Sequence, residues 1–265
     1  MLSIEPILDH AIPFTLVLFR LAGLFVFAPV LSSVSIPFQV RTMLAFMLAL
    51  GVYPLVPASM QTPPELDLFV LLPIVACELM IGAVLGMLVS LPIMAMQLAG
   101  YVAGYQMGLS LASAYNPELD TSADISGQLL FYLATASWLA IGGLDMLFYA
   151  VVLTFEHLPA GGYDALSPPL ELYLGLLSSS MELGLRVAAP VTGMLLLVMI
   201  VMGFVMKTMP QINVLSVGFP LKIMVGLSTL LWSIFIIEEV AGEEIAEASR
   251  TILQYASGLR PRGGE

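Results

Sequence analysis

Residues 100–128 read GYVAGYQMGLSLASAYNPELDTSADISGQ, and the rest of the chain is organised around them. The stretch opens as an apolar helix with Gly100, Gly104 and Gly108 at every fourth position, and Ala112 continues the row. Glycines at that spacing lie on one helical face and let a second backbone approach closely. Asn116-Pro117 then breaks the helix, and a short acidic loop follows with Glu118, Asp120 and Asp124 among Ser and Thr. A close-packed helix thus runs straight into a polar loop inside a very apolar chain.

How apolar the chain is decides its class. Of 265 residues, 59% are hydrophobic and only 10% charged. A soluble domain carries about 25% charged residues, so this is an integral membrane protein. Acidic residues outnumber basic ones 19 to 8, giving a net charge of -11. That balance offers no basic stripe for nucleic acid and no polybasic attraction to anionic lipid. Cys77 is the single cysteine, in an apolar run, and reads as a buried inert thiol. His10 and His157 are the only histidines, so no metal cluster is expected, and Asp9-His10 reads as an interfacial polar pair. There is no phosphate-binding glycine loop, zinc helix or nucleophile elbow, and Ser110, Ser113 and Ser126 lack a nearby histidine base. Neither an enzyme nor a cofactor is expected. The amino terminus carries Glu5 and Asp9 instead of a basic region, so it does not read as a cleavable signal peptide.

About six long apolar segments are expected, given that one span needs roughly 20 residues. They fall at 11–31, 42–56, 66–114, 128–155, 170–206 and 218–237. The third is far too long for one crossing, and Pro92 should kink or divide it: either a hairpin forms there, or one long bent helix leaves the membrane slab. Gly82 and Gly86 form a second close-packing pair. Gly142-Gly143 interrupts the fourth segment, 157–169 is a loop, and 207–217 reads as a tight polar turn. Residues 238–258 keep a helical rhythm, with Ala241, Ile245, Ala248 and Ile252 on one side and Glu239, Glu243 and Glu247 on another. Arg41 and Lys207 put the first and fifth connections in the cytoplasm and both termini outside, whereas Arg250, Arg260 and Arg262 argue the other way.

Five ionisable residues interrupt the apolar runs: Arg20, Glu78, Asp145, Glu182 and Arg186. Each costs about 2.5–3.5 kcal/mol at bilayer depth and needs a partner or water. Glu182 and Arg186 have the favoured i,i+4 order for a self-neutralising pair, and charge alone suggests Arg20 with Glu78. A proton relay is the functional alternative, but no helix is lined with acids. Among 17 methionines, Met94, Met96, Met107, Met199, Met202, Met206 and Met209 read as core packing. A deformable seal around a passing chain is the other reading, and Met107 is its best candidate.

Three stretches together resemble one family. FRLAGLFVFAPVLSS at 19–33 with IPFQVRTMLAFMLAL at 36–50 is similar to the opening of the FliR/SctT family of type III export-gate membrane proteins. GYQMGLSLASAYNP at 104–117, followed by SGQLLFYLATASWLAIGG at 126–143, resembles its central region. MPQINVLSVGFPLKIMVGL at 209–227 resembles its carboxy-terminal signature, carried by Lys207, Pro210, Gln211, Asn213, Gly218, Pro220 and Lys222 at a cytoplasmic turn. The resemblance implies an all-α, polytopic subunit of the flagellar export gate in the bacterial inner membrane, in the basal body and projecting toward the periplasm. Residues 1–169 would be P-type-like and 170–265 a Q-type-like hairpin with an amphipathic tail. Partners would be P-type and Q-type subunits in a spiral, other export-apparatus membrane proteins, and unfolded export substrates. The family's central loop acts as a pore plug, which maps here to 109–125 and to Met107, Gly108, Leu109, Ser110, Asn116, Pro117, Glu118, Asp120 and Asp124. The acidic trio matches no family requirement. The virulence injectisome subunit is the runner-up. An autonomous secondary transporter would need inverted repeats with broken helices, and only Pro92 and Pro190 suggest them.

Overall fold

Long apolar runs leave the backbone no partner but itself, so helices are the expected solution in lipid. The computed structural model describes residues 5–33, 36–56, 68–109, 125–158, 170–209, 211 and 214–258. Seven α-helices occupy them: α1 Glu5–Phe27, α2 Phe38–Val52, α3 Leu68–Met107, α4 Ile125–Ala140, α5 Gly143–His157, α6 Leu170–Thr208 and α7 Val214–Gly258. A 3-10 turn, Tyr53–Leu55, ends α2. Five helices are long and apolar enough to cross a membrane, or six spans if α4 and α5 count as one broken span. Gly142, at φ 78°, makes that break.

Of the two readings of the third segment, the structure takes the single long helix and not the hairpin: α3 runs for 40 residues through Pro73 and Pro92. A proline removes one N–H from the ladder, but inside an apolar helix the remaining bonds have no water to exchange with. The sixth segment and the acidic tail are likewise one 45-residue helix, α7, with Pro220 inside it. The turn expected at 207–217 shrinks accordingly, since α6 continues to Thr208 and α7 starts at Val214. On α7, Ala241, Ile245, Ala248 and Ile252 are buried while Glu239, Glu243 and Glu247 are exposed.

The chain forms two compact units interleaved in sequence. The first comprises Met1–Leu91, Gly142–Leu176 and Ala246–Glu265; the second comprises Pro92–Ile141 and Leu177–Ile245.

In the first unit, α1 lies on α3 at backbone contact. A Cβ on Gly23 would overlap the Leu79 carbonyl oxygen, and one on Gly82 would overlap that of Arg20. A Cβ on Gly86 would come within 2.8 Å of the Leu24 carbonyl oxygen and 2.9 Å of the Ala28 nitrogen. The contacts advance together along both helices, so α1 and α3 run parallel. This closeness lets Arg20 reach Glu78, one turn before Gly82. Arg20 Nε donates to Glu78 Oε2 at 2.5 Å and Nη2 to Oε1 at 3.0 Å, with both side chains enclosed at 0% and 1% exposure. Arg20 Nη1 also donates to Thr154 Oγ1 on α5 at 3.0 Å, and the guanidinium stacks 3.9 Å from the Phe155 ring centre. Paired on its donors and its face, the charge is affordable away from water.

Around this pair, α2 returns along α1 through Phe14, which meets Phe46 and Tyr53 edge-on at 5.5 and 5.8 Å between ring centres. Arg41 closes the α1–α2 connection by donating from Nη2 to the Ser33 carbonyl at 2.7 Å, where Val30 turns the chain at φ 67°.

Glu78→Ala should lower stability by about 3–5 kcal/mol, because it strands a buried guanidinium. The double variant Arg20→Leu/Glu78→Leu should recover most of that loss. Thermal unfolding of the purified chain reads both, and a harmless Glu78→Ala would contradict the pairing.

Candidate functional site

The connection between α3 and α4 is fastened at both ends within the second unit. At its entry, α3 stops at Gly108, whose φ of 87° suits glycine. The Gly108 N–H donates to the Tyr105 carbonyl at 3.0 Å and the Leu109 N–H to the Gly104 carbonyl at 3.1 Å. That bond pair is a Schellman ending, which satisfies carbonyls the helix would otherwise leave open. Gly108 therefore terminates the helix, the role its φ requires.

Met107, the last helical residue, is completely buried. It joins Ala103 with Val191 and Leu195 of α6 and Leu230 of α7 in one apolar cluster, with Leu109 and Ile223 packed against it. Its side chain wraps the bare face of Gly226 on α7, where a Cβ would lie 2.6 Å from Met107 Cγ and 2.9 Å from Sδ. In this conformation Met107 anchors the base of the connection.

At the exit, Ser126 in the first turn of α4 sits on the glycine row. Its Oγ donates to the Gly100 carbonyl at 2.8 Å and is 5% exposed. A Cβ on Gly100 would overlap the Ser126 carbonyl oxygen, and one on Gly104 the Ser126 hydroxyl. The row read from sequence is thus the seat of α4. Ser110, Asn116, Pro117, Glu118, Asp120 and Asp124 lie outside the described residues.

The other singled-out residues lie elsewhere. Lys207 occupies the exposed last turn of α6, and Gln211 is exposed in the turn. Pro210 and Asn213 lie outside the described residues. Gly218 is buried, Pro220 exposed and Lys222 half-buried on α7. Asp145 is exposed in the first turn of α5, where a carboxylate favours the helix dipole. Glu182 and Arg186 pair at 2.6 Å and are more than half exposed. Among the described residues, no three His, Cys, Asp or Glu side chains group to hold a metal.

Sequence reasoning missed Gly23, Gly226, Thr154 and the Ser126 hydroxyl bond. Gly226 stands alone without a partner at four-residue spacing, and a serine at a helix start reads first as a cap.

A multi-pass helical membrane protein in which glycine-mediated packing fastens the two ends of a connection of polar sequence is the class these features define. The chain belongs to the bacterial export proteins, family 1, whose family model matches residues 11–248. It is 32% identical over 214 residues to flagellar biosynthetic protein FliR of Escherichia coli (strain K12), covering 80% of each chain. It is 28% identical over 234 residues to FliR of Bacillus subtilis (strain 168), covering 85% of this chain and 87% of that one. It is also 27% identical over 212 residues to Yop proteins translocation protein T of Yersinia pestis, covering 79% and 80%. Membership makes it a component of the type III protein-export apparatus, a family of apparatus subunits and not of known enzymes.

Gly108→Leu should strain the left-handed ending by about 1–2 kcal/mol, and Gly104→Leu should push Ser126 off its seat. Both variants should lower recovery of the assembled complex from membranes. Normal recovery of both would refute the close-contact account.

Proposed function

We propose that this chain is a pore subunit of the flagellar type III export gate in the bacterial inner membrane. With P-type and Q-type subunits it conducts unfolded flagellar proteins, and its 109–125 connection obstructs the closed pore. The assembly projects toward the periplasm, with 1–169 serving as the P-type-like part and 170–265 as the Q-type-like hairpin and tail. One observation supports the plug above the others: the connection leaves α3 through a Schellman ending anchored by Met107 and rejoins α4 through Ser126 bonded to Gly100. A fixed frame holds the two ends, and the sequence between them is polar, with Asn116-Pro117, Glu118, Asp120 and Asp124. A polar sequence of this kind suits an obstruction that must yield to passing chains, because polar groups are tolerated among apolar helices only where protein or water surrounds them. Flagellar service is favoured over the virulence system by the 32% identity to the Escherichia coli flagellar protein, against 27% to the Yersinia pestis translocation protein.

Deleting 112–123 should leave assembly intact and make resting vesicles leak ions and small solutes. An assembled deletion variant as tight as the natural chain would sink the plug assignment.

A further inference from the structure

We infer that Arg20 is a three-helix latch of fixed polarity: the cation that pairs with Glu78 on α3 is also the clasp that holds the last turn of α5 on α1. The pairing by itself requires only opposite charges at positions 20 and 78, in either order. The α5 groups around the guanidinium decide which order the fold accepts.

Each of the three α5 groups that touch Arg20 calls for a donor or a cation. Thr154 Oγ1 donates its one proton to the Val151 carbonyl at 2.6 Å, so only its lone pairs are left to meet Arg20 Nη1 at 3.0 Å. The Leu158 carbonyl lies at the C-terminal end of α5, where the helix dipole is negative, and accepts from Arg20 Nη2 at 3.4 Å. Phe155 presents the face of its ring, the negative side of its quadrupole, 3.9 Å from the guanidinium carbon. A carboxylate at position 20 would meet two oxygens and a π face. Lysine would keep the charge but lose the planar fork, which serves Glu78 through Nε and Nη2, Thr154 through Nη1 and Phe155 through its face.

The clasp matters more to α5 than to its neighbours. Gly23, Gly82 and Gly86 bring the backbones of α1 and α3 together without any charge, and the close contacts at these three glycines all fall between those two helices. What α5 offers the unit is a stripe of buried side chains, Leu147, Ala150, Val151, Phe155 and Leu158. Between helices in lipid, apolar burial gives little net attraction, and close packing and polar bonds supply the hold. For α5 the polar hold is the pair of bonds from Arg20 to Thr154 and Leu158, with the cation on Phe155. Packing thus keeps α1 on the first half of α3, whereas the sign of the charge at position 20 keeps α5 with them. While that cation is in place, the three helices move as one body.

The test measures two distances in the full purified chain, reconstituted in phosphatidylethanolamine/phosphatidylglycerol vesicles. Pairs of nitroxide labels are placed on cysteines in a Cys77→Ser background, at Val26 and Met80 for α1–α3 and at Val26 and Tyr149 for α1–α5, all exposed positions. With the rest of the sequence natural, double electron–electron resonance should give a single narrow peak for each pair. In the swap Arg20→Glu/Glu78→Arg, and in Arg20→Leu/Glu78→Leu, the α1–α3 peak should persist while the α1–α5 peak is lost to a broad distribution. Thr154→Val/Phe155→Leu leaves the ion pair untouched and should release α5 in the same way, which keeps the inference testable if the swapped chain is not recovered. A narrow α1–α5 peak in the swap or in Thr154→Val/Phe155→Leu would overturn the inference. Loss of both peaks together would overturn it too, by making the pair a general support with no particular hold on α5.

Discussion

Two helices cannot bring their backbones together while side chains stand between them, and α3 is built around the removal of that obstacle. Gly82 and Gly86 admit α1 over its first half, and Gly100 and Gly104 admit α4 over its second. At all four, a single added carbon would collide with a neighbour's backbone or with the Ser126 hydroxyl. In lipid there is little hydrophobic force between helices, so close van der Waals contact and the few polar bonds it permits must hold them. The glycines are therefore a condition for the polar interactions: Arg20 meets Glu78 because Gly82 lets the Arg20 backbone settle on α3, and Ser126 meets the Gly100 carbonyl for the same reason.

Energetics separates the two contacts. The Arg20–Glu78 pair is enclosed, further bonded to Thr154 and stacked on Phe155, so losing one partner leaves a charge with no solvent to receive it. The Glu182–Arg186 pair has similar length, but it is exposed and local to one helix, where such pairs contribute only tenths of a kcal/mol. The first pair holds helices together. The second stays on the surface of one helix.

Much of this was readable in the sequence, for a definable reason. A chain this poor in charge leaves few ways to neutralise a buried arginine, so charge alone suggested Arg20 with Glu78, and the structure forms that pair. Four-residue glycine spacing reports a helix face wherever it occurs, which located the seats of α1 and α4. Spacing could not distinguish a glycine that admits a neighbour from one that ends a helix, and Gly108 does the second. Nor could it reveal Gly226, whose purpose is visible only once the Met107 side chain lies on it. Pro92 left a hairpin and one long helix both open because the rule that proline breaks helices is weighted by water, which competes for freed backbone groups in a soluble protein. Within apolar helices of 40 and 45 residues that competition is missing.

The central claim is that the frame formed by Gly100, Ser126, Gly108 and Met107 presents its connection to the exported chain. It is tested most directly by a photo-crosslinking amino acid at Ile125, the exposed residue that opens α4 at the edge of the connection. With an export substrate stalled in transit, the account predicts an adduct between Ile125 and the substrate, and none from the same probe at Phe235 on the outward face of α7. Adducts at Phe235 with none at Ile125 would contradict it.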